Sequence, residues 1–145
     1  MSLVQRDLIG YILHLARNIE RMCDRYARDT GVTGCQSRLL CFLSITTLEQ
    51  EIYQKDIEEE FGIRPSSATG LLQALEQQGF VRREPVSRDG RLKKVVLTEK
   101  AREIQARTVA HYKEALRHLQ GPLSRMELQN FMKICSGIAE RAGQA

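Results

Sequence analysis

The residues best equipped for chemistry in this 145-residue chain are basic, and they crowd into one stretch. Between Phe61 and Leu97 stand seven bases (Arg64, Arg82, Arg83, Arg88, Arg91, Lys93 and Lys94) against three acids (Glu76, Glu84 and Asp89). The remainder holds equal numbers of each, so the whole formal excess of +4 lies in that stretch. A localised excess on a neutral scaffold is expected of a face that binds a polyanion. Within the same stretch come Ser66, Ser67, Thr69, Gly70 and Gln73. Their hydroxyl and amide groups can bond phosphate oxygens or base edges, and their short side chains let a helix sink into a groove. Gly70 falls inside a helical pattern, where it costs about 1 kcal/mol relative to alanine, so close approach to another backbone is expected there.

Other reactive groups lack the spacing that chemistry needs. The four cysteines (Cys23, Cys35, Cys41 and Cys135) form no C-x-x-C pair. Cys35 and Cys41 would lie about 240° apart around a helix, and in a reducing compartment the thiols stay free. His111 and His118 share a helical face at a separation of about 10 Å, too far to ligate one metal. The acids of Asp56 to Glu60 suit the positive end of a helix dipole. With no G-x-S-x-G elbow, no phosphate loop and no His–Cys pair at a useful spacing, no catalytic residue, metal or cofactor is expected, and the chain is not expected to be an enzyme.

The elements that position the basic stretch follow from hydrophobic period. A hydrophobic content of 42% supports a real core, and one domain is expected over residues 1–145. Ile9, Ile12, Leu13, Ala16, Ile19, Cys23, Tyr26 and Ala27 recur every three or four residues, which predicts a long amphipathic helix ending at Thr30-Gly31. A shorter, more apolar helix is predicted from Gln36 to about Thr47. "YQKDIEEEFGIRPSSATGLLQALEQQGF" reads as a helix from about Lys55 to Phe61, a turn through Gly62-Ile63-Arg64, and a helix from Pro65 to Gln77 or Gln78, ended by Gly79. Pro65 suits a first helical position because its missing N–H has no partner to lose there. Ile57 with Phe61, and Leu71 with Leu75, are expected to share a small core. Two helices joined by a short glycine turn form a helix-turn-helix. "RREPVSRDGRLKKVVLT" then reads as two strands around Ser87-Arg88-Asp89-Gly90. Two more amphipathic helices follow, separated by Gly121-Pro122, the first striped by Ala101, Ile104, Thr108, Tyr112, Ala115 and Leu119 and the second by Leu128, Phe131, Met132, Cys135, Ile138 and Ala139. No apolar run approaches the roughly 18 residues that span a bilayer, and "MSLVQRDLIG" lacks signal-peptide features, so a cytoplasmic location without membrane association is expected.

The order helix, helix, "QKDIEEEFGIRPSSATGLLQALEQQGFVRR", "DGRLKKVVLT" and two long helices resembles the MarR-type regulators, the multiple antibiotic resistance repressor family of winged helix-turn-helix proteins. The resemblance covers nearly the whole chain. Its most specific parts are the helix-turn-helix running into "LEQQGFVRR" and the wing "RDGRLKKVVLT", with Asp89, Arg91, Leu97 and Thr98 on the Asp-x-Arg and Leu-Thr positions typical of the family.

That resemblance implies a mainly α fold with a small β-hairpin, in which a winged helix-turn-helix lobe (about 34–98) is flanked by N- and C-terminal dimerisation helices (about 1–31 and 99–145). It implies a homodimer on double-stranded DNA at a pseudo-palindromic operator, with the Pro65–Gln78 helix in the major groove and Arg91 in the adjacent minor groove. Asp89 in such wings positions the arginine. A hairpin tipped by Arg88 and Arg91 independently suits the negative potential of a narrow minor groove, and Arg82, Lys93 and Lys94 are placed to meet phosphates. Arg64 departs from the family, standing where an N-capping serine often precedes the helix, and is a candidate phosphate contact. A repressor released by a small aromatic anionic effector is expected, with His14 and Arg17 as candidate pocket residues. The alternatives are a thiol-based repressor using Cys23 or Cys35, and a winged helix that docks protein rather than DNA.

Overall fold

The computed structural model describes residues 7–86, 90 and 92–144, so Ser87, Arg88, Asp89 and Arg91 of the wing tip lie outside the described residues. The elements run α1 (Leu8–Ala27), a 3₁₀ turn (Arg28–Thr30), α2 (Gly34–Thr46), α3 (Gln54–Phe61), α4 (Pro65–Gln77), β1 (Val81–Pro85), β2 (Lys93–Leu97), α5 (Glu99–Gln120) and α6 (Arg125–Gln144). Helices with one antiparallel hairpin are the architecture that the periodicities predict. The chain divides into two compact units, Met1–Tyr112 and Lys113–Ala145.

In the first unit the core is built by fully buried Leu39, Leu43, Ile52, Ile57, Leu72, Leu75 and Val95, closed by Val32, Leu40, Phe80, Val81, Ala101 and Ile104. Asp7 opens α1 by accepting from the Gly10 N–H at 2.8 Å. Thr33 and Gln36 form a reciprocal capping box that starts α2 two residues earlier than its apolar run. Gly34 is there because α1 and α2 approach closely: a Cβ would fall 2.6 Å from the Cβ of Cys23. The Gly34 N–H instead donates to Asp24 Oδ1 at 2.7 Å.

The α3–α4 pair packs on Ile57, Ala68, Leu72 and Leu75. Leu71 and Phe61 pack half-buried against this core as expected, and Leu72, absent from that expectation, is fully buried beside Leu75. α3 ends on Gly62, whose φ of 59° lets the Ile63 N–H reach back to the Glu58 carbonyl at 3.1 Å. α4 begins with Pro65 at its first position and Arg64 as N-cap, without a side-chain cap.

β1 and β2 pair with Arg82 opposite Val96, Glu84 opposite Lys94 and Pro85 opposite Lys93. The hairpin also has a third contributor that the sequence reading omits. The Val95 N–H donates to the Ile52 carbonyl at 2.7 Å, and Tyr53 bridges Lys94, so the residues before α3 line the outer edge of β2. From β2 the chain returns onto the end of α4: Thr98 donates from Oγ1 to the Gly79 carbonyl at 2.6 Å, and its N–H to the Phe80 carbonyl at 3.1 Å. Lys100 Nζ adds a bond to the Gln78 carbonyl at 2.5 Å.

The amphipathic stripe of α1 does not meet this core in full. Met22 and Ala27 are its buried residues, while Leu8, Ile9, Tyr11 and Leu13 are at least half exposed. In the second unit, α6 has no buried residue, and Met126, Phe131, Met132 and Ile134 are exposed.

Candidate nucleic-acid interface

α4 presents the residues singled out for their hydrogen-bonding capacity. Ser66, Ser67, Gly70 and Gln73 are exposed, as is Gln77 one turn further on, opposite the buried Ala68, Leu72 and Leu75. Ser66, Gly70, Gln73 and Gln77 fall within an arc of about 60° at 3.6 residues per turn, so they form a single stripe running the length of the helix. Pro65 is exposed at its start.

Thr69 differs from its neighbours. Half-buried, it donates from Oγ1 to the Pro65 carbonyl at 2.9 Å and accepts from Gln54 Nε2 at 3.0 Å. The same Gln54 amide reaches the Pro65 carbonyl at 3.3 Å and Glu58 Oε1 at 3.2 Å. Thr69 and Gln54 therefore clamp the first turn of α4 to α3, a structural task that the sequence alone does not disclose. The close approach expected at Gly70 has no counterpart among the described residues, because a Cβ there would meet nothing within 4 Å.

The bases flanking α4 fall into two groups. Arg83 forks onto Glu76, with Nε and Nη2 donating at 2.6 and 3.1 Å to the two carboxylate oxygens, and so ties β1 to α4. Hydrogen bonding to that carboxylate raises the pKa of Arg83 further above its ordinary value. Arg82 donates from Nε to Glu84 Oε1 at 2.7 Å, both side chains pointing to the same face of β1. Lys94 lies 3.5 Å from Glu51 and 3.9 Å from Glu84. Glu51 in turn accepts from the Tyr53 hydroxyl at 2.7 Å, a bond that, with Lys94, holds its carboxyl below the usual carboxylate range. Arg64 and Lys93 are exposed and have no ion-pair partner among the described residues. Glu51, Glu76 and Glu84 were not anticipated as partners. The Arg82–Glu84 spacing carried the signal, because residues two apart on a strand share a face.

The remaining candidates are dispersed. His14 accepts from Asn18 Nδ2 at 3.2 Å on α1, and Arg17 is exposed one turn on. Cys23 and Cys35 are half-buried and exposed respectively, and burial raises the pKa of both thiols while the Arg38 guanidinium pulls them down. Their thiolate fraction at neutral pH is accordingly small. Cys41 is buried and pushed up to about 11. His111 meets Asp29 Oδ1 at 2.7 Å. Among the described residues no group of three or more His, Cys, Asp or Glu could hold a metal ion, and no helix is long and apolar enough to cross a membrane.

Two helices joined at Gly62, a two-stranded wing, and a return onto the end of the second helix define a winged helix-turn-helix protein. Residues 30–92 of the chain match the family model of the MarR family. It is similar to the transcription regulator MarR from Oenococcus oeni PSU-1, at 28% identity over 91% of this chain and 98% of that one, with a TM-score of 0.79. The S. aureus MepR–DNA complex shares the fold at a TM-score of 0.83 and 16% identity, over 97% and 99% of the two chains. CouR from Rhodococcus jostii RHA1 bound to p-coumaroyl-CoA does so at 0.73 and 18%, over 96% of each. No curated protein matches the sequence.

Proposed function

We propose that this chain is a MarR-type regulator that binds double-stranded DNA sequence-specifically, as a homodimer on a pseudo-palindromic operator. The observation that carries this reading is the exposed, uncharged polar stripe of α4, with exposed bases at its N-cap Arg64 and at Lys93 on β2 of the wing. In a major groove, α4 brings Ser66, Ser67, Gly70 and Gln73 to the base edges, while Arg64, Arg82, Lys93 and Lys94 meet phosphates. Arg88 and Arg91, at the wing tip, enter the adjacent minor groove, with Asp89 orienting Arg91. The DNA-bound MepR supports the use of this fold on duplex DNA.

The homodimer reading draws on the exposed apolar positions of α1 (Leu8, Ile9 and Leu13) and, separately, of α6 (Phe131, Met132 and Ile134), which water alone leaves uncovered. A two-fold axis then sets α4 of each protomer about one DNA turn, roughly 34 Å, from the other. The regulator acts as a cytoplasmic repressor. A small aromatic anion, received near His14 and Arg17, releases DNA by favouring dimers with a different lobe spacing. The acyl-CoA bound to CouR is consistent with a carboxylate-derived effector class.

Titration of operator-length duplex against salt tests the core of this reading. Binding whose log affinity falls steeply with log salt is expected. Absence of binding, or affinity insensitive to salt, refutes it and points to a winged helix that docks protein. Release of DNA by mild peroxide, reversed by a reductant and lost on replacing all four cysteines, would instead identify a thiol switch.

A further inference from the structure

α4 contains no arginine or lysine from Pro65 to Gln77, and its one acid, Glu76, is engaged by Arg83. This bears on which bases the helix can read. Guanine is recognised chiefly by a bidentate arginine or lysine on O6 and N7, and adenine by a bidentate asparagine or glutamine on N6 and N7. At the centre of the exposed stripe stand Gly70 and Gln73, three residues apart on one face. Gly70 has open space where a Cβ would project and no left-handed backbone angle, so neither packing among the described residues nor strain calls for glycine there. A helical glycine without an internal reason leaves a notch for something outside the chain. The bulkiest feature on a major-groove base edge is the thymine methyl.

We infer that Gly70 and Gln73 form an A·T-reading notch: the Gln73 amide pairs with adenine N6 and N7, and the bare Gly70 surface admits the thymine methyl and the neighbouring base edges. This rests on the DNA-binding reading above and specifies the sequence class it selects. The Thr69 hydroxyl spends its proton on the Pro65 carbonyl and accepts from Gln54, so it has no donor left for a base edge. α4 has no arginine or lysine for the bidentate guanine contact, so G·C readout of that kind arises outside this helix.

Selection from a randomised duplex pool with the full-length protein tests the inference. The wild type should enrich half-sites with an A·T pair at one fixed position, and Gln73→Ala should lose that preference by roughly 5- to 150-fold. Gln73→Arg should move the preference at the same position toward G·C. Replacing that adenine by 7-deazaadenine, which lacks the N7 acceptor, should weaken the wild type and leave Gln73→Ala unaffected. Gly70→Ala should raise or preserve the melting temperature while weakening binding to the selected duplex at least several-fold, a loss of binding without loss of stability that a structural role for Gly70 does not give. Selection of the same sequences by Gln73→Ala, or wild-type affinity in Gly70→Ala, overturns the notch while leaving the DNA-binding reading intact. A wild-type protein that enriches no sequence overturns both.

Discussion

Replacing Glu84 with glutamine should strengthen DNA binding, and the structure sets how much. Glu84 accepts from Arg82 at 2.7 Å and lies 3.9 Å from Lys94, so one carboxylate restrains two of the cations assigned to phosphates. The Arg82 side chain is 56% exposed, which keeps the pair within the range of about 0–1 kcal/mol typical of surface ion pairs, and the variant is expected to fold normally. If the substitution frees one phosphate contact in each protomer of a dimer, two extra counterions are released, and the slope of log affinity against log salt steepens by about 1.8. Since the electrostatic contribution vanishes near 1 M salt, the same slope gives a gain of about 60-fold at 0.1 M. Fluorescence anisotropy of a labelled operator duplex between roughly 0.05 and 0.4 M salt resolves both quantities. Loss of repulsion between Glu84 and phosphate also favours binding, and an Arg82→Ala background separates the two effects. Release of Arg82 predicts that most of the gain disappears there. An equal gain in both backgrounds, or a gain independent of salt, refutes the reasoning.

Other perturbations probe separate parts of the molecule. Leu72→Ala opens a cavity among fully buried neighbours and should destabilise the chain by about 2–5 kcal/mol, read by denaturant unfolding, whereas Leu71→Ala at the margin should cost clearly less. A Glu76→Ala, Arg83→Ala double-mutant cycle should give a favourable coupling of about 1 kcal/mol, because the forked pair is less than one-third exposed; additivity would contradict a role in joining α4 to the wing. Arg91→Ala should weaken operator binding substantially without changing the sedimentation behaviour of the protein. For Cys41, a folded pKa raised to about 11 favours the neutral thiol, so its contribution to stability is full below pH 9 and declines as pH rises toward 11. At pH 8 a thiol reagent should modify Cys35 well before Cys41; simultaneous modification would contradict the burial of Cys41.

The helix-turn-helix was legible because its punctuation is local. Gly62, Pro65 and Gly79 mark the boundaries of α3 and α4 within a residue, and the basic alternation after Phe80 marks the hairpin. What escaped depends on partners distant in sequence. Leu71 and Leu72 differ by about 100° around the helix, and only the position of Ile57 and the rest of the core decides which is buried. Gln54 acts on residues eleven and fifteen positions away, with no pattern in between to announce it. The Ile52–Tyr53 edge is too short to alternate visibly. Arg82 and Lys94 are placed by the sequence to meet phosphates, yet they and Arg83 each meet a glutamate, and net charge over the stretch conceals that pairing. The stripe of α1 was identified correctly as apolar, but periodicity is identical whether the face covers its own core or another surface.

The bolt between Thr98, Lys100 and the end of α4 has a mechanical consequence. The Gly79 carbonyl takes the Thr98 hydroxyl and the Gln78 carbonyl takes the Lys100 ammonium, while Thr98 Oγ1 also accepts from the Ala101 N–H at the start of α5. The last turn of α4 and the first of α5 are thereby geared together. A change in the angle between the end of α4 and the first turn of α5 must break or stretch these bonds.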